Sequence, residues 1–418
     1  MKSEVITFGC RLNACESEVI TSIAEELGLQ NCVIINTCAV TSEAERQLQQ
    51  TIRRIYKNNP KRNIILTGCA SQLHAEKYLS MPGVIGIVSN KQKLIKEAYL
   101  DFVNDALGRE AAVDTSDEQV YAVSPTISPK KIRSFIQIQN GCNHCCSYCI
   151  ITKARGRNVS LQKDQILSAC AQALANGAKE ICLTGVNITS YTDPTNSEIT
   201  LPQLCEYILD NLADLHRLRI SSLDPADIDE HYIKLFENND RMMPYIHLSI
   251  QSGDNTILKR MRRRHTYEDV LRICEKFRSV RQDIIFGADF ITGFPSENDT
   301  MFANTIKLVQ KAEISLLHVF PYSVRHGTTA ASMPNQVPTH IRRQRARYLR
   351  QEGEQILRVI FKQIIDTKKV IRCIAESDNH AKSDGFLSII STQEIKPGEV
   401  YDFLCSSYQD NQLIGKPV

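Results

Sequence analysis

The sequence predicts an α/β protein built in three parts: an amino-terminal parallel α/β domain, a longer run of six strand–helix units, and a small carboxy-terminal β-barrel. Three observations predict it. From residue 1 to about 105, short apolar runs alternate with helical patterns, which implies a parallel sheet. From residue 131 to about 335 six further apolar runs recur, most of them separated by helical segments, short of the eight units of a closed barrel. From about residue 367 the pattern shifts to short strand-like pieces broken by turn residues such as Lys396-Pro397-Gly398.

Composition sets the outer limits. A chain of 418 residues with 42% hydrophobic and 23% charged residues is ordinary for a soluble globular protein, and its length suggests roughly three domains. A net charge of +3 is too small to argue for a nucleic-acid partner. No stretch has the length and apolarity of a membrane span, and Met1–Cys10 lacks the apolar core of a signal peptide, so the expected location is cytoplasmic. The 15 cysteines form no even framework of the secreted kind; in a reducing compartment they point to metal, catalysis or burial.

Within residues 1–105 the expected strands are Glu4–Phe8, Cys32–Asn36 and Asn63–Thr67, followed by helices over about Ala14–Leu27, about Thr41–Asn58 and from near Ser71. Each strand is followed closely by a cysteine: Cys10, Cys38 and Cys69. Ligands of open parallel sheets gather outside the carboxyl ends of the strands, so these three thiols should converge on one edge. Residues 106–130, rich in Asp, Glu, Ser and Pro, read as a linker holding one strand-like piece, Gln119–Val123.

In residues 131–335 the expected strands are Ser134–Gln139, Glu180–Thr184, Arg217–Ser222, Tyr245–Ile250, Ile284–Ile291 and Ile314–Phe320. Just past the first lies Gly141-Cys142-Asn143-His144-Cys145-Cys146-Ser147-Tyr148-Cys149. With Cys142, Cys146 and Cys149 as ligands this is C-x3-C-x2-C. Three close thiolates can hold three corners of a 4Fe–4S cube, whereas an electron-carrying cluster normally takes four; the fourth iron is then open to a small molecule. Counting Cys145 instead gives two abutting C-x-x-C pairs. A zinc site of that kind separates its pairs by a loop of a dozen residues or more, which is absent here. Residues 336–366 read as a connecting helix, Thr339 to about Ile365, with many arginines. Residues 367–418 contain the strand-like Val370–Ala375, Phe386–Ser391 and Glu399–Leu404, a small β-barrel of a shape often used on nucleic acid.

The cysteine stretch resembles the signature of radical S-adenosylmethionine (SAM) enzymes. The resemblance implies a partial (β/α)6 barrel, a 4Fe–4S cluster on Cys142, Cys146 and Cys149 whose open iron chelates SAM, and release of a 5′-deoxyadenosyl radical. It places Tyr148 beside the adenine, and implies SAM contacts at Gly185 and Asn187, at Gln251, and at Asp289 and Glu297 within Asp289–Glu297. Phe8-Gly9-Cys10-Arg11-Leu12-Asn13, Asn36-Thr37-Cys38-Ala39-Val40-Thr41 and Thr67-Gly68-Cys69-Ala70 look like the amino-terminal domain of the radical SAM methylthiotransferases. In that family the three cysteines carry an auxiliary 4Fe–4S cluster, and the last domain is a TRAM domain that helps hold tRNA. The chain departs from the family pattern at Cys15, at Thr152-Lys153 and at His326.

What the resemblance implies is methylthiolation of carbon 2 of N6-threonylcarbamoyladenosine beside the tRNA anticodon. Arg11-Leu12, Ser221-Ser222-Leu223-Asp224-Pro225 and Phe320-Pro321-Tyr322-Ser323 resemble that branch, whereas the isopentenyladenosine branch usually carries Gln-Met at the first place. Two 4Fe–4S clusters and SAM, as radical source and methyl donor, are the implied cofactors. The implied partners are tRNA and an electron-donor protein such as flavodoxin or ferredoxin, with the sulfur donor unspecified and no membrane. The alternatives are sulfur insertion into another adenosine or a ribosomal-protein side chain, and a non-catalytic metal-containing RNA-binding protein. The basic run Lys259–Arg264 suits either RNA phosphates or a solvated helix end.

Overall fold

A computed structural model describes residues 3–103 and 131–418. The expected strand at Gln119–Val123 and the linker around it lie outside the described residues.

The amino-terminal sheet has four parallel strands in sequence order, Glu4–Thr7, Cys32–Thr37, Asn63–Gly68 and Val84–Ile87. Val33, Ile35, Ile64 and Leu66 pack on Leu48 and Ile52 of the helix Ser42–Asn58, while Ile34 and Ile65 pack on Ile20 and Ile23 of the helix Arg11–Glu26 on the other face. Both faces are thus covered, as an all-parallel sheet requires. The fourth strand was not expected: Val84-Ile85-Gly86-Ile87 is short, and its glycine accommodates the Phe102 ring, to which a Cβ would come within 2.5 Å. The first helix starts at Arg11 rather than near Ala14, with Cys10 as its N-cap.

The central unit has six parallel strands in sequence order: Arg133–Gln137, Glu180–Thr184, Leu218–Ile220, Tyr245–Gln251, Ile285–Thr292 and Leu316–Pro321. They pair as two three-stranded sheets, joined by the parallel bridges Leu218–Met242 and Leu223–Leu248. The first and sixth strands are not paired, so the barrel is open along one side. Side chains alternate along each strand. Ile136, Ile181, Leu183, Leu218, Ile220, Ile246, Leu248, Ala288, Phe290 and Val319 pack with the surrounding helices. Phe135, Cys182, Arg219, Tyr245, His247, Asp289 and His318 are therefore left on the other face, toward the lumen.

The amino-terminal domain lies across the open side. Ser42 bonds Ser323 just past the sixth strand (N–H to Oγ 3.0 Å), Arg325 pairs with Glu45, and the Cys15 thiol donates to the Phe135 carbonyl on the first strand (3.7 Å). The 28-residue helix Thr339–Asp366 belongs to two cores at once: Ala346 and Leu349 pack with the barrel, Leu357, Phe361 and Ile364 with the carboxy-terminal domain.

That last domain is a closed barrel with strands in the order Val370–Ala375, His380–Ser383, Ser388–Ser391, Gln412–Pro417 and Val400–Gln409. Its five strands exceed the three expected. His380-Ala381-Lys382-Ser383 and the Gly415- and Pro417-containing last strand have little intrinsic β preference; their pairing is imposed by closure of the barrel. The domain plugs the amino-terminal end of the strands of the open barrel. Tyr245 stacks on Phe386 at 4.8 Å, and Arg219 donates to the carbonyls of Ser383 (3.0 Å) and Asp384 (2.9 Å). Arg217 and Arg219 meet Glu180 at 2.9 and 2.8 Å, Arg133 is paired with it too, and Arg217 also reaches Asp384.

Glu180 is fully buried; burial alone would raise its pKa, but Arg219, Arg133 and Arg217 outweigh it and hold the carboxyl at about 2. Glu180→Gln leaves three guanidinium groups without their shared anion. It is expected to cost about 3–5 kcal/mol, read as a large fall in the denaturation midpoint and early release of the carboxy-terminal domain in limited proteolysis.

Candidate functional site: two thiol sets at one lumen

Cys10, Cys38 and Cys69 stand at the carboxyl ends of the first three strands of the amino-terminal sheet, as N-cap, loop residue and first residue of a helix. A web of polar side chains fixes them. Asn13 donates to the carbonyls of Phe8 (2.8 Å) and Thr37 (3.1 Å), and Thr37 Oγ1 accepts from the N–H groups of Ala70 and Ser71 (3.1 Å each). Gly9 has φ +107°, and a Cβ there would lie 2.8 Å from Cys38 Sγ, so only glycine lets the loop pass so near the thiol. Burial first, then the neighbouring Cys69 and Cys10, pushes Cys38 up to about 11 against the pull of the Val40 N–H. That N–H points at Cys38 Sγ from 3.4 Å.

Cys142, Cys146 and Cys149 sit in the loop after the first barrel strand. Gly141 (φ +69°) opens it; a Cβ there would come within 1.9 Å of the Arg157 carbonyl oxygen. Ser147 pins the loop to the far side, its N–H to the Met261 carbonyl (3.1 Å) and its hydroxyl to the Arg260 carbonyl (2.7 Å). Backbone N–H groups of His144 and Ile151 each lie 3.4 Å from Cys142 and Cys149 Sγ, and Arg263 approaches Cys146 Sγ at 3.8 Å. Burial pushes Cys149 up to about 12, with Cys146 and Cys142 adding to the shift. Cys145 is exposed, apart from this set's shielded thiols.

One side chain ties the segment after the second set to the first set. Arg155 ends the short helix that follows the second set and is 2% exposed. Its Nε lies 3.3 Å from Cys69 Sγ, and its other nitrogens donate to Glu16 (2.7 and 3.0 Å), Asn13 (2.6 Å) and Asn140 (3.0 Å). Lys93, also buried, meets Glu16 at 2.5 Å. Burial would raise the Glu16 pKa; Arg155 and Lys93 overcome it and hold it at about 2. Two cations on one carboxylate leave one positive charge in excess, beside Cys69.

The other expected contacts lie on separate elements. Tyr148 packs with Ile257, Met261, Phe294 and Tyr322. Gly185 and Asn187 flank a loop whose N–H groups at Val186 and Asn187 both donate to Gln139 Oε1 (2.9 Å each), while Gln139 Nε2 bonds the Gly141 carbonyl (2.6 Å). Gln251 ends the fourth strand with φ +72°, a costly conformation for a non-glycine residue. Asp289 lies three residues before its strand ends, facing His247 Nε2 (3.0 Å) and His318 Nδ1 (3.3 Å). The Glu297 carboxylate is taken up by the Gly293 N–H (2.8 Å) and Arg345 (2.7 Å), so it ties the Gly293–Glu297 turn to the long helix.

Sequence reasoning missed Gln139, the joint between the cysteine loop and the Gly185–Asn187 loop, and Arg155's partners. It also read the basic run as one unit. The run divides: Lys259, Arg260 and Arg262 are exposed, whereas Arg263 turns inward to Asp224 (2.9 Å) and the Ser249 carbonyl (2.7 Å). Burial opposes ionisation of Asp224, but His265, its Nδ1 3.8 Å away, and Arg263 hold it at about 2.

Neither cysteine set is drawn together as a single zinc ion would draw it. A tetrahedral zinc with bonds of about 2.3 Å would draw its sulfurs to roughly 3.8 Å from one another. Among the described residues, the one group of three His, Cys, Asp or Glu ligand atoms within 4.8 Å of each other is His247, Asp289 and His318, not a cysteine set. In a cube each thiolate binds a different iron, which spreads the sulfurs, and N–H groups aimed at them are the usual means of tuning it. Gly141→Ala should abolish the visible iron–sulfur absorbance contributed by Cys142, Cys146 and Cys149, whereas Cys145→Ala should leave the spectrum unchanged. Spectra of anaerobically reconstituted protein check both.

Comparison with known proteins agrees with this geometry. The Radical SAM superfamily profile matches residues 136–309, and one described as Uncharacterized protein family UPF0004 matches residues 2–89. The threonylcarbamoyladenosine tRNA methylthiotransferase MtaB of Rickettsia prowazekii is 40% identical over 96% of this chain and 94% of its own. A tRNA-2-methylthio-N(6)-dimethylallyladenosine synthase of Rickettsia conorii is 30% identical over 84% of this chain and 83% of its own. Among solved structures, the radical SAM methyltransferase TsrM of Kitasatospora setae aligns with a TM-score of 0.55 at 13% identity, over 79% of this chain and 75% of that one, a likeness of fold. The open six-stranded barrel, its cysteine loop and the identity spanning nearly the whole chain place this protein in the radical SAM tRNA methylthiotransferase family.

Proposed function

We propose that this enzyme inserts a methylthio group at carbon 2 of N6-threonylcarbamoyladenosine next to the tRNA anticodon, with one 4Fe–4S cluster on Cys142, Cys146 and Cys149 and a second on Cys10, Cys38 and Cys69. The observation that carries the reading is Arg155, which ends the helix following Cys149 yet donates to Glu16 and Asn13 and lies 3.3 Å from Cys69 Sγ, tying the segment after one thiol set to the other. The 40% identity to a threonylcarbamoyladenosine enzyme over nearly the full length supports the choice of substrate.

The C–H bond at carbon 2 of adenine has no useful acidity, so a general base within hydrogen-bond reach would not activate it. When bound, the two clusters and SAM supply what a base cannot: a carbon radical to take the hydrogen, and a methylated sulfur to replace it. The protein's own residues hold the parts in register. Gln139 and Gly141 shape the loop of the second set, Ser147 and Arg263 brace it from across the barrel, and Arg155 with Glu16 fixes it against the first set. Tyr148, Gly185, Asn187, Gln251 and Asp289 would hold SAM; Glu297 acts by holding its turn.

The domain reading goes with it: residues 1–105 for the auxiliary cluster, 131–335 for the radical core, 336–366 as the connecting helix and 367–418 as a TRAM-like domain on tRNA. Electrons would come from a flavodoxin or ferredoxin in the cytoplasm.

Cys142→Ala is expected to abolish reductive SAM cleavage. Cys10→Ala should keep cleavage largely intact and stop methylthio product; product from the Cys10 variant would sink the division of labour. The substrate is tested by mass spectrometry of tRNA nucleosides from cells with and without the gene. Loss of the methylthio form of threonylcarbamoyladenosine supports the proposal. Its persistence, with loss of the isopentenyladenosine counterpart, contradicts it.

A further inference from the structure

The floor of the lumen carries more positive charge than it neutralises. Around the single Phe386 ring stand four cations, with Lys382 Nζ at 4.6 Å and the guanidinium carbons of Arg219, Arg133 and Arg11 at 5.1, 5.3 and 5.7 Å from its centre. Two of them are spoken for: Arg219 pairs with Glu180, and Arg133 with Glu180 and Glu376. Arg217, just outside the ring, takes Glu180 and Asp384. Among the described residues neither Arg11 nor Lys382 has a carboxylate partner. Lys382 donates to the Ser388 hydroxyl (2.7 Å), and Arg11 rests over Phe135 (5.6 Å) and Phe386. Burial and the nearby Arg133, Arg219 and Arg11 push the Lys382 ammonium below its usual pKa, against the pull of Glu376.

Lys382 is half-buried, so its charge is costly to hold unless an anion arrives to share it, and Arg11 stands exposed beside the same ring with no carboxylate of its own among the described residues. The place is also specific. Arg11 follows Cys10 directly and is exposed, Phe135 and Tyr245 lie on the lumen face, and Tyr245, His318, Lys382 and Phe386 line one cavity between the open barrel and the carboxy-terminal domain. Aromatic walls with a cationic floor fit the arm of a flipped-out nucleoside rather than a run of backbone phosphates, which needs an open groove. An isopentenyl arm is uncharged and would leave both cations unmatched. A threonylcarbamoyl arm ends in a carboxylate.

We propose that Arg11, from the amino-terminal domain, and Lys382, from the carboxy-terminal domain, form the subsite that binds the carboxylate of the threonylcarbamoyl group, with Phe386 as the platform between them. This rests on the substrate reading above and names the residues that make the choice.

The test uses full-length enzyme with both clusters reconstituted under anaerobic conditions. Its substrates are anticodon stem-loop RNAs bearing threonylcarbamoyladenosine as the free acid or as its methyl ester, with the unmodified stem-loop as control. A charge-assisted contact of this kind is worth roughly 10- to 100-fold. Wild-type enzyme should therefore prefer the acid to the ester by that factor in kcat/KM and in equilibrium binding. In Arg11→Gln the preference should collapse toward unity, and in Lys382→Gln it should shrink. Because each preference is a ratio within one variant, a general loss of activity cancels, and the binding ratio remains measurable if turnover is lost. Equal use of acid and ester by wild type, or an undiminished preference in Arg11→Gln, would overturn the subsite while leaving the substrate assignment standing. So would equal weakening of all three RNAs in the variants, the mark of a phosphate contact. No product from the acid RNA in wild type, with turnover of an isopentenyladenosine RNA, would instead overturn the substrate reading itself.

Discussion

The rest of the structure depends on a guanidinium buried where two domains meet. Arg155 belongs to the loop that carries the second thiol set, yet most of its partners (Glu16, Asn13 and the Cys69 sulfur) belong to the amino-terminal domain. Removing such a group from water costs several kcal/mol, recovered only if every N–H finds an acceptor and the charge is answered. Those conditions are met only when the two domains are docked in one way. The same contact that locks the interface therefore sets where one thiol set stands relative to the other, and packing, electrostatics and chemistry are decided at one residue.

The open barrel gives that interface its purpose. A closed eight-stranded barrel fills its interior with side chains. Here the first and sixth strands do not meet, and the space between them is closed by other parts of the chain. The amino-terminal domain spans the side through Ser42, Glu45 and Cys15, and the carboxy-terminal barrel seals the floor through Phe386 and the Glu180 arginine cluster. The long helix Thr339–Asp366, shared between two hydrophobic cores, holds that floor in place. The lumen is thus walled by all three units, so that a residue beside the first thiol set and a residue of the last domain stand around the same aromatic ring.

Much of this was legible in the sequence because it depends on local signals. Strand runs at Glu180–Thr184 and Val370–Ala375 have the expected bounds, and Cys10, Cys38 and Cys69 lie along one edge because parallel strands put their carboxyl ends there. What stayed hidden depends on distant partners. Nothing near Arg155 announces Glu16, and nothing in Lys259–Arg264 says that Arg263 turns in toward Asp224 while Lys259, Arg260 and Arg262 face water. Glu297 reads as a ligand contact until Arg345, 48 residues away, is seen to occupy it. The extra strands at Val84–Ile87, His380–Ser383 and Gln412–Pro417 escaped for a similar reason, since their pairing comes from the sheet around them and not from their own propensity.

The most direct measurement is anaerobic analysis of iron, sulfide and zinc per chain, in the wild type and in two variants with one thiol set replaced by alanine. If the two sets each hold a cube, wild type carries roughly eight irons and as many sulfides, and each variant keeps about half. A wild type that holds about four irons, or that carries zinc in place of iron at either set, would contradict the account.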